Sequence, residues 1–153
     1  MIESDMENYF FDTSAFIKYF TSEAGYDLII DLIDNPNNDT WITELTLTEF
    51  YCALYRKYRG NVLTEKNLKI AISAFDKQIN RFNVLPMDAF SYQKSRECIK
   101  TYGMQFGLRT LDALQIAAFS NIAEKNWTFV AADTIACNVT QLMGFDVINP
   151  LEK

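Results

Sequence analysis

Residues 127–133 read Trp-Thr-Phe-Val-Ala-Ala-Asp, a nearly unbroken apolar run that ends beside a carboxylate. A continuous apolar segment of this length is what a parallel strand buried on both faces requires. An acid just beyond it lies at the crevice where open α/β sheets bind ligands. A second junction of the same kind opens the chain, where Tyr9-Phe10-Phe11 runs into Asp12-Thr13-Ser14. Two more acids sit where apolar runs meet helical patterns: Glu49 in Leu-Thr-Glu-Phe and Asp112 in Arg-Thr-Leu-Asp-Ala-Leu-Gln-Ile-Ala. Carboxylates gathered at one place repel one another unless cations hold them. The chain also has no histidine, and the two facts together point to hard-metal chemistry.

Outward from these junctions, strands and helices alternate. Residues 9–11 predict a short strand, followed by helices over 15–20 and about 23–34. The stretch 34–39, Asp-Asn-Pro-Asn-Asn-Asp, is a turn by composition. A strand over 40–43 precedes a helix from about 45 to 59 that stops at Gly60. In that helix Leu47, Phe50, Tyr51, Leu54 and Tyr58 recur at helical spacing, with Glu49, Cys52 and Arg56 on the other side. Thr64 opens a helix to about 80, and residues 82–85 form a third strand closed by Pro86. Asp88 caps a helix to about Tyr102, and Gly103 and Gly107 flank a loop. Leu111, Leu114, Ala118 and Ile122 place a stripe on a helix over 110–125. After the strand at 127–131, Asp133 opens a last helix, and 145–148 is a final strand. The expectation is one α/β domain spanning 1–153, with a polar leader over 1–8 and a mostly parallel sheet covered on both faces.

Composition narrows the function. At 153 residues, 49% hydrophobic and with twelve phenylalanines, the chain is long and apolar enough for one well-buried core. No stretch approaches the roughly 20 apolar residues of a membrane span. The acidic start lacks the basic and apolar regions of a signal peptide. Cys52, Cys98 and Cys137 are odd in number and scattered, which predicts reduced, buried thiols in a cytoplasmic protein. A net charge of −6 disfavours broad nucleic-acid binding, although bound divalent ions would cancel much of the field at the site itself. Local basic clusters (Arg56, Lys57, Arg59, then Lys94, Arg96, Lys100) read most simply as solvated helix faces. Without histidine, imidazole-based ribonuclease mechanisms, Ser-His-Asp triads and His-ligated zinc are excluded. No phosphate-binding Gly-x-x-x-x-Gly-Lys loop occurs.

Each acid also has a purely structural reading. Asp12, Asp112 and Asp133 lie at or near helix starts, where aspartate caps free amides. Glu49 reads equally well as a solvated side chain. Against this, Thr13 and Ser14 are able to cap the first helix without Asp12. Asp112, flanked by Leu111, Ala113 and Leu114, sits in surroundings too apolar for a routine solvated charge.

The motifs Asp12-Thr-Ser-Ala-Phe16, Leu45-Thr-Leu-Thr-Glu-Phe50, Leu111-Asp-Ala-Leu-Gln-Ile-Ala117 and Phe129-Val-Ala-Ala-Asp133, with the Gly144-Phe-Asp-Val-Ile-Asn-Pro150 ending, together resemble a PIN domain. Their order and spacing are similar to those of the VapC-type ribonuclease toxins, over about residues 9–150. The resemblance implies a three-layer α/β/α sandwich in which Asp12, Glu49, Asp112 and Asp133 match the metal-binding and catalytic acids and Ser14 matches a hydroxyl beside them. It also implies Mg²⁺ or Mn²⁺ as cofactor and cleavage of single-stranded RNA to 5′-phosphate and 3′-hydroxyl ends. An antitoxin partner and a homodimer follow from it as well, the latter using the aromatic helix surface of Phe50, Tyr51, Tyr55 and Tyr58. On the chemistry of such sites, Asp12 with Asp112 or Asp133 would ligate directly, Glu49 would position a water or assist its deprotonation, and Arg109 would meet either a substrate phosphate or a neighbouring acid. Two features depart from the pattern. Ala131 stands where relatives often have Ser or Thr, and no further acid follows Asp133 within five residues. A catalytically silent PIN-like module that binds RNA or protein is the alternative. A phosphoacceptor domain is disfavoured because no lysine ends a late strand near Asp133.

Overall fold

Phe10 and Phe11 are neighbours in the chain, yet they are buried on opposite sides of a sheet, as the two-residue period of a strand dictates. Both are fully inaccessible to solvent. They belong to β1 (Glu7–Phe11), the central strand in the computed structural model, which describes residues 6–152. The remaining strands are β2 (Asn38–Thr43), β3 (Asn83–Leu85), β4 (Trp127–Val130) and β5 (Asp146–Ile148), in spatial order β3-β2-β1-β4-β5. Every pairing is parallel, so the mostly parallel sheet expected is wholly so.

Helices cover both faces. On one side α1 (Thr13–Phe16), α2 (Lys18–Thr21), α3 (Tyr26–Asp34), α4 (Glu44–Arg59) and α5 (Glu65–Gln78) bury Phe16, Ile29, Phe50, Leu54 and Phe75 with Phe11 and Val130. Phe16 meets Phe82 edge-on at 5.0 Å, and Phe50 stacks on Phe75 at 4.2 Å. On the other side α6 (Ala89–Phe106), α7 (Thr110–Ile122) and α8 (Thr134–Leu142) bury Ile116, Phe119 and Val139 against Phe10 and Phe129. This is the three-layer sandwich the sequence predicts. No helix among the described residues is long and apolar enough to cross a membrane.

The strand order matters for function. β2 and β4 lie on either side of β1, and the helices that lead away from them pack on opposite faces. A crevice therefore opens at the carboxyl ends of β1 and β4, the switch point where open α/β sheets place ligands.

Several local expectations are corrected. β1 begins at Glu7, whose register partner is Asn38, so the polar leader expected over 1–8 gives up its last residues to the sheet. Its first five lie outside the described residues. The helix expected over 15–20 is two short ones, and α3 starts only at Tyr26, after Gly25 at φ +88°. The predicted loop at Gly103 is helical. α6 runs on to Phe106 because Tyr102 and Phe106 pack on the core, which offsets the roughly 1 kcal/mol cost of an internal glycine. It stops at Gly107, whose left-handed φ of +65° is the usual helix ending.

The stripe predicted on α7 fails at Leu111, which is exposed, whereas Ala113 to Phe119 are all buried. This helix packs against both α6 and α8 and is apolar almost all round, so periodicity does not single out an inner face. The cysteines divide: Cys98 and Cys137 are buried, but Cys52 is exposed on the outer face of α4. Phe50 is wholly inside the core, so it offers no surface to a partner. Tyr55 and Tyr58 are exposed.

Candidate active site

Asp12 is the first residue beyond β1, and its amide donates to the Val130 carbonyl of β4 at 3.0 Å, so the two strand ends are held side by side. Asp12 is almost completely buried. Its Oδ1 accepts from the Ala15 amide at 3.1 Å, capping α1, and from the Ser14 hydroxyl at 2.6 Å. Ser14 Oγ in turn accepts from the Ala132 amide at 3.0 Å. The hydroxyl expected beside the acids thus clamps the β1 end to the β4 end and orients Asp12.

Beyond β4, Asp133 caps α8 through Oδ1, which accepts from the Ala136 amide at 2.7 Å. Asp112 lies in the first turn of α7, and its Oδ2 accepts from Arg109 Nε at 3.3 Å. Arg109 Nη2 stands 3.9 Å from Asp133 Oδ2, and the arginine side chain is 78% exposed. Of the two roles open to Arg109, the ion pair is the one present. Glu49 sits early in α4, with Oε1 accepting from the Thr13 hydroxyl at 2.9 Å and from Gln115 Nε2 at 3.0 Å.

The capping and cation-binding readings are compatible, because each acid commits one oxygen to the fold and keeps the other for the site. Asp12 Oδ2, Asp112 Oδ1 and Glu49 Oε2 accept no hydrogen bond among the described residues, and Asp133 Oδ2 has only the long contact to Arg109. All four acids, with Ser14 and Arg109, line one cleft of about 920 Å³. Every sequence-predicted site residue is therefore brought to the same hollow.

The electrostatics show how uncomfortable the cluster is. Burial pushes the Asp12 carboxyl up to about 7, the hydrogen bonds from Ser14 and Ala15 oppose the rise, and the charges of Asp112 and Asp133 add to it. Burial also raises Asp112, with Asp133 adding to the shift and Arg109 opposing it. Buried Cys137 is pushed up to about 12, again mainly by burial, with Asp12 the largest contributing charge. That thiol is not a thiolate ligand at neutral pH.

The free donors are thus carboxylate oxygens, the ligand type hard divalent ions prefer. Among the described residues no three acidic or thiol side chains converge closely enough to enclose an ion by themselves. Like charges gain nothing by closing on one point without a counter-ion. The donor set fits an ion held by one or two carboxylates with water completing its shell, the way Mg²⁺ is usually bound.

Four residues that support the site were not among the functional residues expected from the sequence. Gln115, buried in the middle of α7, donates to Thr46 Oγ1 at 2.8 Å as well as to Glu49, and its Oε1 accepts from the Thr43 hydroxyl at 3.0 Å. Thr43 caps α4 by accepting from the Thr46 amide at 3.2 Å. Thr13 links Thr46 to Glu49. The available signal was a lone amide in an otherwise apolar helix: a buried polar side chain must find partners, and polar residues near the site supply them.

Residues 9–141 match the sequence profile of a family described as the PIN domain. No curated protein matches the chain. Among solved structures, FitAcB from Neisseria gonorrhoeae is 15% identical with a TM-score of 0.66, over 95% of this chain and 99% of that one. VapC20 from Mycobacterium tuberculosis, described as a sarcin-ricin loop cleaving toxin, is also 15% identical with a TM-score of 0.66, over 92% and 97% of the two chains. VapBC2 from Rickettsia felis, solved with a DNA fragment from its promoter, is 16% identical with a TM-score of 0.61, over 92% and 97%. At these identities the likeness is one of fold.

Proposed function

The chain belongs to the PIN domain family, and on that premise we propose that it is an Mg²⁺- or Mn²⁺-dependent endoribonuclease, the toxin of a VapBC-like toxin–antitoxin pair. The observation that carries the proposal is the division of labour within the carboxylates. Asp12, Glu49, Asp112 and Asp133 each hydrogen-bond through one oxygen, leave the other without a hydrogen bond, and line one cleft. A purely structural set of caps would have no reason to collect four acids in one hollow, where burial and mutual repulsion raise Asp12 and Asp112.

Asp12 and Asp112 are the residues that would hold the cation, with Asp133 beside them. A divalent ion bound there would supply charge neutralisation and Lewis acidity toward a phosphodiester. Glu49, its Oε1 fixed by Thr13 and Gln115, presents Oε2 as the group that orients an attacking water or takes its proton. Ser14 keeps Asp12 from rotating away. Arg109, largely exposed and only loosely paired, is placed to exchange its carboxylate partners for a substrate phosphate.

An antitoxin partner is part of the same reading, supported by the likeness to VapBC2 and FitAcB, and so are a cytoplasmic location and a homodimer. An acidic cleft rimmed by exposed side chains suits a basic segment of a partner protein. The test is incubation of single-stranded RNA with the protein in Mg²⁺, in Mn²⁺ and in excess EDTA, with analysis of the ends produced. Metal-dependent fragments bearing 5′-phosphates support the reading. An intact scaffold that cleaves nothing in either metal, and binds neither at millimolar concentration, would favour a silent binding module.

A further inference from the structure

Lys18 is the only lysine or arginine among the described residues that is buried, at 7% exposure. It lines the same cleft as the acids, beyond the end of α1. No carboxylate, carbonyl or hydroxyl among the described residues accepts a hydrogen bond from its ammonium. No side-chain nitrogen among the described residues is both sealed from solvent and unbonded, so the Lys18 ammonium reaches solvent with its stem buried, and Glu23, the carboxylate that acts on it, is already engaged. Glu23 accepts from Lys57 Nζ at 2.6 Å through Oε1 and from the Thr21 hydroxyl at 3.0 Å through Oε2. Two lysines thus share one carboxylate, which leaves this part of the cleft net positive in a chain of net charge −6.

The cleft consequently has two poles. Carboxylates gather at the strand ends, and Lys18 and Lys57 line it elsewhere with Arg56. Lys18 covers its stem in the fold and brings only its tip to solvent.

We propose that Lys18 and Lys57 form an anion subsite that takes a non-scissile phosphate of a bound single-stranded polynucleotide, which seats the chain with its reactive phosphate at the carboxylates. The proposal deepens the nuclease reading and rests on it. Contact with a backbone phosphate positions a strand without reading its sequence, so selectivity for particular bases must come from elsewhere. Burial lowers the Lys18 pKa, Glu23 opposes the change and Lys57 adds to it, and a phosphate placed here would supply the countercharge that Glu23 only half provides.

Wild-type protein, Lys18→Met and Lys18→Arg are to be compared by two readouts. The first is the melting temperature in metal-free buffer as inorganic phosphate replaces chloride at constant ionic strength. Wild type and Lys18→Arg are expected to be stabilised by phosphate, and Lys18→Met not. The second is cleavage of a single-stranded RNA. Lys18→Met is expected to raise KM about tenfold with kcat within about twofold, and to flatten the salt dependence of 1/KM by about 0.7 per log unit, as for one lost phosphate contact on a single strand. Lys18→Arg should restore both. If wild type cleaves no RNA, the nuclease reading fails on its own, and the phosphate melt still decides whether the subsite exists. Equal phosphate stabilisation of Lys18→Met and wild type, or an unchanged KM, would overturn the proposal. So would stabilisation by oligoglutamate but not by phosphate, which would assign the lysines to a protein partner.

Discussion

Gln115 donates from Nε2 to Glu49 Oε1 at 3.0 Å, joining α7 to α4 across 66 residues of sequence. The same amide holds Thr46 and Thr43, so one side chain sets both the packing of two helices and the direction of a site carboxylate. Replacing it by alanine takes one hydrogen-bond partner from each of two buried hydroxyls and leaves Glu49 Oε1 with Thr13 alone. Gln115→Ala should lose about 2–3 kcal/mol in urea unfolding and also impair RNA cleavage. Wild-type stability would remove the network from the account.

Asp12 gives a pH dependence with a definite sign. Its folded pKa of about 7 lies above the ordinary value of 3.8, so between these limits the folded state binds a proton that the unfolded chain has released. Stability from this group is complete below about pH 4 and is lost as pH rises through about 7, with a ceiling on the order of 4 kcal/mol. Metal-free wild type should therefore melt lower at pH 8 than at pH 5 relative to Asp12→Asn, in which this dependence is absent. Asparagine keeps the oxygen that caps Ala15, so the variant should melt at or above wild type at pH 8. A marked drop instead would mean that the charge itself stabilises the metal-free fold.

The thiols differ sharply. Cys52 is exposed, whereas Cys98 and Cys137 are buried, and Cys137 is pushed up to about 12. At pH 8 iodoacetamide should alkylate Cys52 in the native protein and reach the other two only after denaturation, as read by peptide mass spectrometry. Rapid native labelling of Cys137 would contradict its place on the buried face of α8.

Gly25 precedes α3 at φ +88°, and a Cβ there would lie 2.9 Å from the Pro150 carbonyl oxygen. Both the strained φ and the contact oppose any side chain. Gly25→Ala should cost at least about 1–2 kcal/mol and lower the melting temperature. An unchanged melt would show that the segment around Pro150 moves aside freely.

The fold was largely legible because both central strands carry apolar residues on consecutive positions. Phe10 and Phe11, like Phe129 and Val130, fill opposite cores, and only a strand covered on both faces needs that pattern. Asp12 and Asp133 were legible for a related reason, since each follows an apolar strand that ends at the cleft, whereas Glu49 and Asp112 lie on helices and were legible only through their motifs. What escaped depended on long-range partners. Gln115 looked like one more residue of a motif, and nothing local links it to Thr43 or Thr46. Lys18 looked like any helical lysine until the fold closed over it. Gly103 and Leu111 were misread because core packing overrode a helix-breaking residue in one case and an all-round apolar helix hid its inner face in the other.

The central claim is that the free carboxylate oxygens around Asp12 form a cation site, and calorimetric titration of the metal-free protein with Mn²⁺ tests it most directly. Because burial pushes the Asp12 carboxyl up to about 7 without metal, binding should release more protons at pH 6 than at pH 8, measured in buffers of different ionisation enthalpy. In Asp12→Asn the affinity should fall and the extra proton at pH 6 should disappear. Binding with the same proton count in both proteins, or no binding to folded wild type, would contradict the account.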